Sequence, residues 1–145
     1  MNVNMKKEWP MKHDGNGNIR IKTYMADEAL PVSDTLVKIY GTDDYNKDIK
    51  YSLITDSNGV TEEISLPAPN ISYSTSPGAE EYPYAVYNVE LAKDGFYPKR
   101  IDNVPIFSDR SALLPIEMIP LSYNADGAVI PNNNLNSTIY ENDKL

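Results

Sequence analysis

The sequence predicts an all-β protein, a seven-stranded sandwich with an extended arm at each end. Three observations carry that prediction. Apolar side chains recur at every second residue, the period of a strand with one buried face. Turn-forming residues separate these runs at short intervals, as a sandwich requires. Eleven prolines and seven glycines leave little uninterrupted length for a helix.

Ile19, Ile21 and Thr23 alternate with Arg20, Lys22 and Tyr24, which makes a first strand. Ala29-Leu30-Pro31-Val32-Ser33-Asp34 reads as a turn, and Val37 and Ile39 follow it as a second strand. Thr42 to Asp48 has room for one helical turn, with Asp43 and Asp44 suited to its N-terminus. Tyr51, Leu53 and Thr55 make the third strand. Asp56-Ser57-Asn58-Gly59 is a tight polar turn, with Asn58-Gly59 as the central pair and φ > 0 expected at both. Val60, Glu62, Ile64 and Leu66 line one side of the fourth strand, which Pro67 and Pro69 are expected to stop. Ala85, Tyr87, Val89 and Leu91 make the fifth, and Asp94-Gly95 turns the chain. Phe96 to Phe107 is extended but broken by Pro98 and Pro105, which suits a sheet edge or a bulge. Leu113 to Ile119 closes the set.

Residues 1–16 and 121–145 are polar and lack this alternation, so they read as arms around a sandwich domain at 17–120. Trp9, beside Pro10, has no local core to join and reads as an anchor on a neighbouring subunit. Leu135, Ile139 and Tyr140 fit the same role at the other end. Partners are therefore expected to be other protein subunits, gripped through the arms.

A chain of 145 residues suits one domain, long enough to bury a core without staples. It has no cysteine, so disulfides and thiolate metal sites are excluded. A net charge of -8 repels phosphate backbones and argues against nucleic acid as a partner. No apolar run reaches the roughly 18 residues of a membrane helix. Met1 to Pro10 carries Lys6 and Lys7 with no apolar stretch behind them, so synthesis in the cytoplasm without a signal peptide is expected.

No set of residues assembles into an acid–base or nucleophilic site, so no catalysis is expected and no catalytic residue is assigned. His13, the only histidine, reads as a solvated residue of the arm. Asp43-Asp44 and Glu80-Glu81 read as solvated turns, and Glu62-Glu63 as strand neighbours that point to opposite faces. Asp14-Gly15-Asn16-Gly17-Asn18 spaces its oxygens as a calcium loop does, but Ile19 and Met25 stand where such a loop needs Gly and Glu. No metal or other cofactor is therefore expected.

Eleven tyrosines outnumber two phenylalanines and one tryptophan. Tyr51 and Tyr87 fall on strand positions in the core or at its margin. Tyr73, Tyr82 and Tyr84 lie in or beside the loop from Pro67 to Pro83. There a ring with an apolar face and a polar tip either covers the end of the sandwich or meets a protein or glycan.

Three groups of motifs recur together. They are Thr55-Asp56-Ser57-Asn58-Gly59 with Leu66-Pro67-Ala68-Pro69; Pro83-Tyr84-Ala85-Val86-Tyr87 with Gly95-Phe96-Tyr97-Pro98; and Ile101 to Phe107 with Met118-Ile119-Pro120. In this order they resemble the N-terminal β-domain of spore cortex-lytic and peptidoglycan-binding proteins, over roughly residues 17–120. That domain looks like the transthyretin-like, carboxypeptidase-regulatory group. The resemblance implies a transthyretin-like, Greek-key sandwich and a non-enzymatic accessory role. The role expected from it is structural or adhesive, in a cell-wall-directed bacterial or phage-like tail or virion assembly. The alternative is a peptidoglycan- or glycan-binding module of spore or wall lytic machinery. The final location would be a particle, a spore or the cell wall.

Overall fold

The apolar alternation builds two sheets whose inner faces share one core. A computed structural model describes residues 13–26, 29–70, 83–122, 127, 129 and 130. Among these residues there are eight strands and no helix: β1 (Gly15–Met25), β2 (Leu30–Pro31), β3 (Leu36–Gly41), β4 (Lys50–Ile54), β5 (Ile64–Ala68), β6 (Ala85–Ala92), β7 (Lys99–Ile106) and β8 (Ser111–Glu117).

In the first sheet β1 is central. Strand β8 runs parallel to it along one edge, from Asn18 opposite Ser111 to Tyr24 opposite Glu117. The other edge is shared by β5, which pairs antiparallel from Gly15 to Ile19, and β2, which pairs with Tyr24 and Met25. The second sheet is antiparallel, in the order β4-β3-β6-β7. Short links within a sheet join β1 to β2, β3 to β4 and β6 to β7, and the remaining connections cross between sheets.

Ile19, Ile21, Ile64, Leu66, Ile116 and Met118 of the first sheet meet Val37, Ile39, Tyr87, Val89, Leu91 and Ile106 of the second in one buried cluster. Each large aliphatic side chain removed from water here contributes about 1.5–3 kcal/mol before the entropy of ordering is subtracted. Tyr87 is only 1% exposed, and its hydroxyl donates to the Pro67 carbonyl 2.6 Å away, tying β6 to β5 across the layers. Burial pushes the Tyr87 hydroxyl well above its usual range, so it stays a donor.

The sequence reading and the structure differ at several points. The segment from Leu30 to Pro31, read as turn, adds an eighth short strand. Thr42 to Asp48 forms no helix; Asp43 Oδ1 accepts from the backbone of Tyr45 and Asn46 and holds a succession of turns instead. Val60 makes only an isolated bridge to Lys22, and β5 starts at Ile64. Pro67 does not stop β5 but lies within it, opposite Asn16. Among the described residues strand β5 has no neighbour on its outer side, so a residue without an N–H is tolerated there. Strand β1 begins at Gly15, two residues inside the segment read as arm. Beyond Glu117, Phe96 bridges Pro120, Leu121 N–H donates to Gly95, and the Tyr97 hydroxyl donates to the Ile130 carbonyl.

The 56–59 turn also departs from expectation. Gly59 N–H returns to the Asp56 carbonyl, so Ser57 and Asn58 are the central pair. Only Gly59 has positive φ, at 78°. Asp56 Oδ1 accepts from the backbone of Asn58 and Val60 and rigidifies the loop. The turn does not close a hairpin: it carries the chain from β4 in one sheet to Val60 and β5 beside the other.

At this crossover, four threonines are almost fully buried: Thr23, Thr35, Thr55 and Thr61. The Thr23 and Thr55 hydroxyls donate to the Val32 carbonyl at 2.7 and 2.9 Å. Thr55 Oγ1 also accepts from Thr35 N–H at 2.9 Å, and Thr61 Oγ1 from Ile21 N–H at 3.0 Å.

Three substitutions test this corner and its turn. Thr55→Val leaves the buried Thr35 N–H without its acceptor and should cost about 1–3 kcal/mol in urea unfolding. Thr23→Val leaves Val32 bonded to Thr55 and should cost about 1 kcal/mol or less; equal losses would show that the Thr35 bond is not the important one. Gly59→Val places a β-branched side chain at positive φ, with its Cβ against the Thr23 carbonyl oxygen. It should lower stability by at least about 2 kcal/mol, measured by the same unfolding curves.

Candidate binding surface

The outer face of the β4-β3-β6-β7 sheet gathers the polar and aromatic side chains that the core rejects. Val37 and Ile39 of β3 point inward, so Leu36, Lys38 and Tyr40 point outward. On β6 the outward set is Val86, Asn88, Glu90 and Ala92. Register places Lys38 opposite Glu90 and Glu90 opposite Arg100, making one row across three strands. The Tyr40 hydroxyl donates to Glu90 Oε2 at 2.7 Å, and that bond pushes the phenol above its usual range. Arg100 Nε donates to Asp102 Oδ1 at 2.7 Å. A groove of about 240 Å³ runs beside this row, lined by Leu36, Lys38, Glu90, Ala92, Pro98 and Arg100 among others.

A β-bulge shapes the middle of the face. Tyr87 pairs with Val104 and Val89 with Ile101, so Asp102 and Asn103 together oppose Asn88. Asn103 takes positive φ, 59°, and its N–H donates to Asn88 Oδ1 at 3.0 Å. The bulge and Pro105 both sit on β7, the sheet edge, as the prolines had suggested.

At the far end Tyr84 is 46% exposed and packs against Phe107, with ring centroids 5.4 Å apart and a tilt of 57°. With Val86, Asn103 and Pro105 they line a shallow depression of about 470 Å³. Phe107 is placed by close packing, since a Cβ on Gly17 would collide with its carbonyl. Sequence reasoning named Tyr84 but missed Phe107, Tyr40, Lys38, Glu90 and Arg100. The β3 and β6 alternation was legible, but no signal in it says which outward residues share a row. Trp9, Pro10, Tyr73, Tyr82, Leu135, Ile139 and Tyr140 lie outside the described residues, as do Glu80 and Glu81. Tyr51 is 36% exposed at the sandwich margin, where its hydroxyl lies 3.4 Å from the Ser65 carbonyl.

No protein-family model matches the chain, and no curated protein sequence matches it. Solved structures do. A mercury-inhibited catechol 1,2-dioxygenase from Acinetobacter sp. ADP1 is 12% identical, with 89% of this chain and 60% of that chain covered and a TM-score of 0.50. A type II cohesin–X-dockerin complex from Acetivibrio cellulolyticus is 20% identical over 78% of this chain and 64% of that one, with a TM-score of 0.41. A candidate carbohydrate-binding protein from Bacteroides uniformis is 12% identical over 74% and 47%, with a TM-score of 0.47. The chain is a β-sandwich. At these identities the likeness concerns the fold alone, and the chain spans under two thirds of each of these proteins.

Three readings of polar residues are corrected. Asp14 to Asn18 form no loop: Gly15 to Asn18 are strand, paired with β5, and Asp14 Oδ1 accepts from Asn70 N–H. Among the described residues no three His, Cys, Asp or Glu cluster as metal ligands would. Glu62 and Glu63 precede β5 and are both exposed, with Arg20 3.8 Å from Glu63. His13 is not solvated: its side chain is 3% exposed, Nε2 lies 3.5 Å from Asp43 Oδ2, and its ring sits 5.5 Å from that of Tyr45. The 43–46 turn forms a lid over it, which a local reading of the sequence has no means to foresee.

Burial pushes the His13 imidazole below its usual value of 6.5, and the Asp43 and Asp14 carboxylates only partly oppose this. The unfolded chain therefore binds the proton more tightly than the folded one. The His13 contribution is complete above the unfolded value and is lost as pH falls through it toward the lower, folded one. Urea midpoints should thus fall more for the parent than for His13→Gln between about pH 8 and about pH 5.5. Parallel falls would mean that the imidazole is not buried.

Proposed function

We propose that this chain is a non-enzymatic binding module, adhesive or structural, that meets its partner through the outer face of the β4-β3-β6-β7 sheet. The observation that carries the reading is the Tyr84–Phe107 pair. It leaves an aromatic ring nearly half exposed at the end of a rigid sheet, beside Val86 and Pro105. Such a ring offers contact area at low entropic cost and is typical of binding centres. The lone histidine is buried against the 43–46 turn, which speaks against acid–base chemistry on this face.

The sequence resemblance extends the proposal. It supports a transthyretin-like topology and a place in a cell-wall-directed assembly, of spore, wall or phage-like kind, with peptidoglycan as one target. The arms, with Trp9 and Tyr140, would join neighbouring subunits in such an assembly.

The test is retention of the full chain on insoluble bacterial wall material. The parent should be retained, and Tyr84→Ala should weaken binding by at least about fivefold, the cost of truncating a central aromatic contact. Retention unchanged by Tyr84→Ala would place the contact elsewhere. No retention, together with a discrete multi-subunit mass by light scattering, would favour the structural role over the adhesive one.

A further inference from the structure

We infer that the same face takes a carboxylate-bearing glycan laid along β6, with its acid groups beside Lys38 and Arg100. The inference rests on the binding-module reading and names its ligand class.

The first observation is a contrast of charge. The chain carries a net -8, yet this face places Lys38, Lys50 and Arg100 around one glutamate and one aspartate. Both acids are engaged, Glu90 by the Tyr40 hydroxyl and Asp102 by Arg100 Nε. Neither Lys38 nor Lys50 has an ion-pair partner among the described residues. Arg100 uses only Nε on Asp102 and is half exposed, so its guanidinium keeps four further N–H donors, suited to a planar acceptor such as a carboxylate. Lys38 and Arg100 flank Glu90 from the two adjacent strands, so their backbones stand about 10 Å apart.

The second observation is shape. From Tyr84 to Ala92 the strip runs roughly 26 Å at the rise of an extended chain. It has an aromatic end, an ionic row near its middle, and a far end where Leu36, Ala92 and Pro98 adjoin Asp34, Lys93 and Asp94. It is long and shallow, which suits a linear polymer. Strands β3 and β6 are paired on both sides, so a peptide gains no backbone ladder along the middle of the face.

The third observation selects glycan over polyacid. Glu90 stands between the two cations and repels a second negative charge there, while its carboxylate accepts hydroxyl protons. A ligand that carries hydroxyls between its acid groups fits this row, and a polyacid without hydroxyls does not. Tyr40 and Asp102 hold Glu90 and Arg100 in place before any ligand arrives, which lowers the entropy lost on binding.

Affinity electrophoresis of the full chain decides the matter, with polygalacturonate, neutral galactan and polyglutamate as separate probes. Polygalacturonate should retard the parent more than either of the others. Lys38→Ala/Arg100→Ala, at exposed positions that leave the core intact, should lose at least about tenfold in affinity and keep the parent's melting midpoint. Raising salt from about 50 to about 200 mM should weaken binding of the parent and hardly touch the double variant. Equal retardation by galactan would overturn the acidic ligand. Tighter binding of polyglutamate would assign the face to an acidic peptide and overturn the glycan. Wall retention that depends on Tyr84, without polygalacturonate binding, would sink this inference alone. Loss of both would remove the module reading with it.

Discussion

The Val32 carbonyl accepts the hydroxyl protons of Thr23, from the middle of one sheet, and Thr55, from the end of a strand in the other. Two layers of β-structure that meet only through apolar side chains are free to slide. A buried carbonyl with two donors fixes their relative position, because moving either sheet strands a polar group away from water. The same corner holds the 56–59 turn, since Thr23 N–H donates to the Gly59 carbonyl and Asp34 N–H to that of Thr55. Strand β3 begins directly after this knot, so the register of the whole second sheet starts from it.

Polar groups bind the layers elsewhere too. Tyr87 spans from the second sheet to the Pro67 carbonyl on β5. Asn46, 1% exposed, donates to the Val86 carbonyl and accepts from Asp43 N–H, which fastens the β3–β4 turns beside the start of β6. A fully apolar core of the same volume would pack as well. These bonds restrict it to one arrangement, since each alternative leaves a buried donor or acceptor unmet.

That rigidity reaches the outer face. Lys38, Glu90 and Arg100 form a row because β3, β6 and β7 pair in one register, and the bulge at Asn103 keeps Asn88 bonded to β7. Tyr84 and Phe107 meet because β6 begins and β7 ends at the same end of the sheet. Surface groups held by a stiff scaffold recognise a ligand with little loss of side-chain freedom, and this one offers an aromatic platform and an ionic row on the same strip.

By itself the sequence determined seven of the eight strands and their buried faces, missing only the short β2. Ile19, Ile21, Val37, Ile39, Tyr87, Val89 and Leu91 all point inward as their alternation demands, because a period of two places every second side chain on one side of a pleat. It also located the turn at 56–59 and the edge character of the proline-bearing segment near Pro105, since glycine and proline act on the backbone locally. Tertiary structure alone decided which sheet each strand joins. Asp56 to Gly59 looks like a hairpin loop whether it joins neighbours or crosses layers, and only the pairing of Ile64 with Ile19 distinguishes the two. The parallel match of β8 with β1, the burial of His13 under the 43–46 turn and the meeting of Lys38 with Arg100 across β6 are of the same kind. Each joins residues far apart in the chain, whose closeness is set by the global packing of the sheets and leaves no mark on the local pattern of either partner.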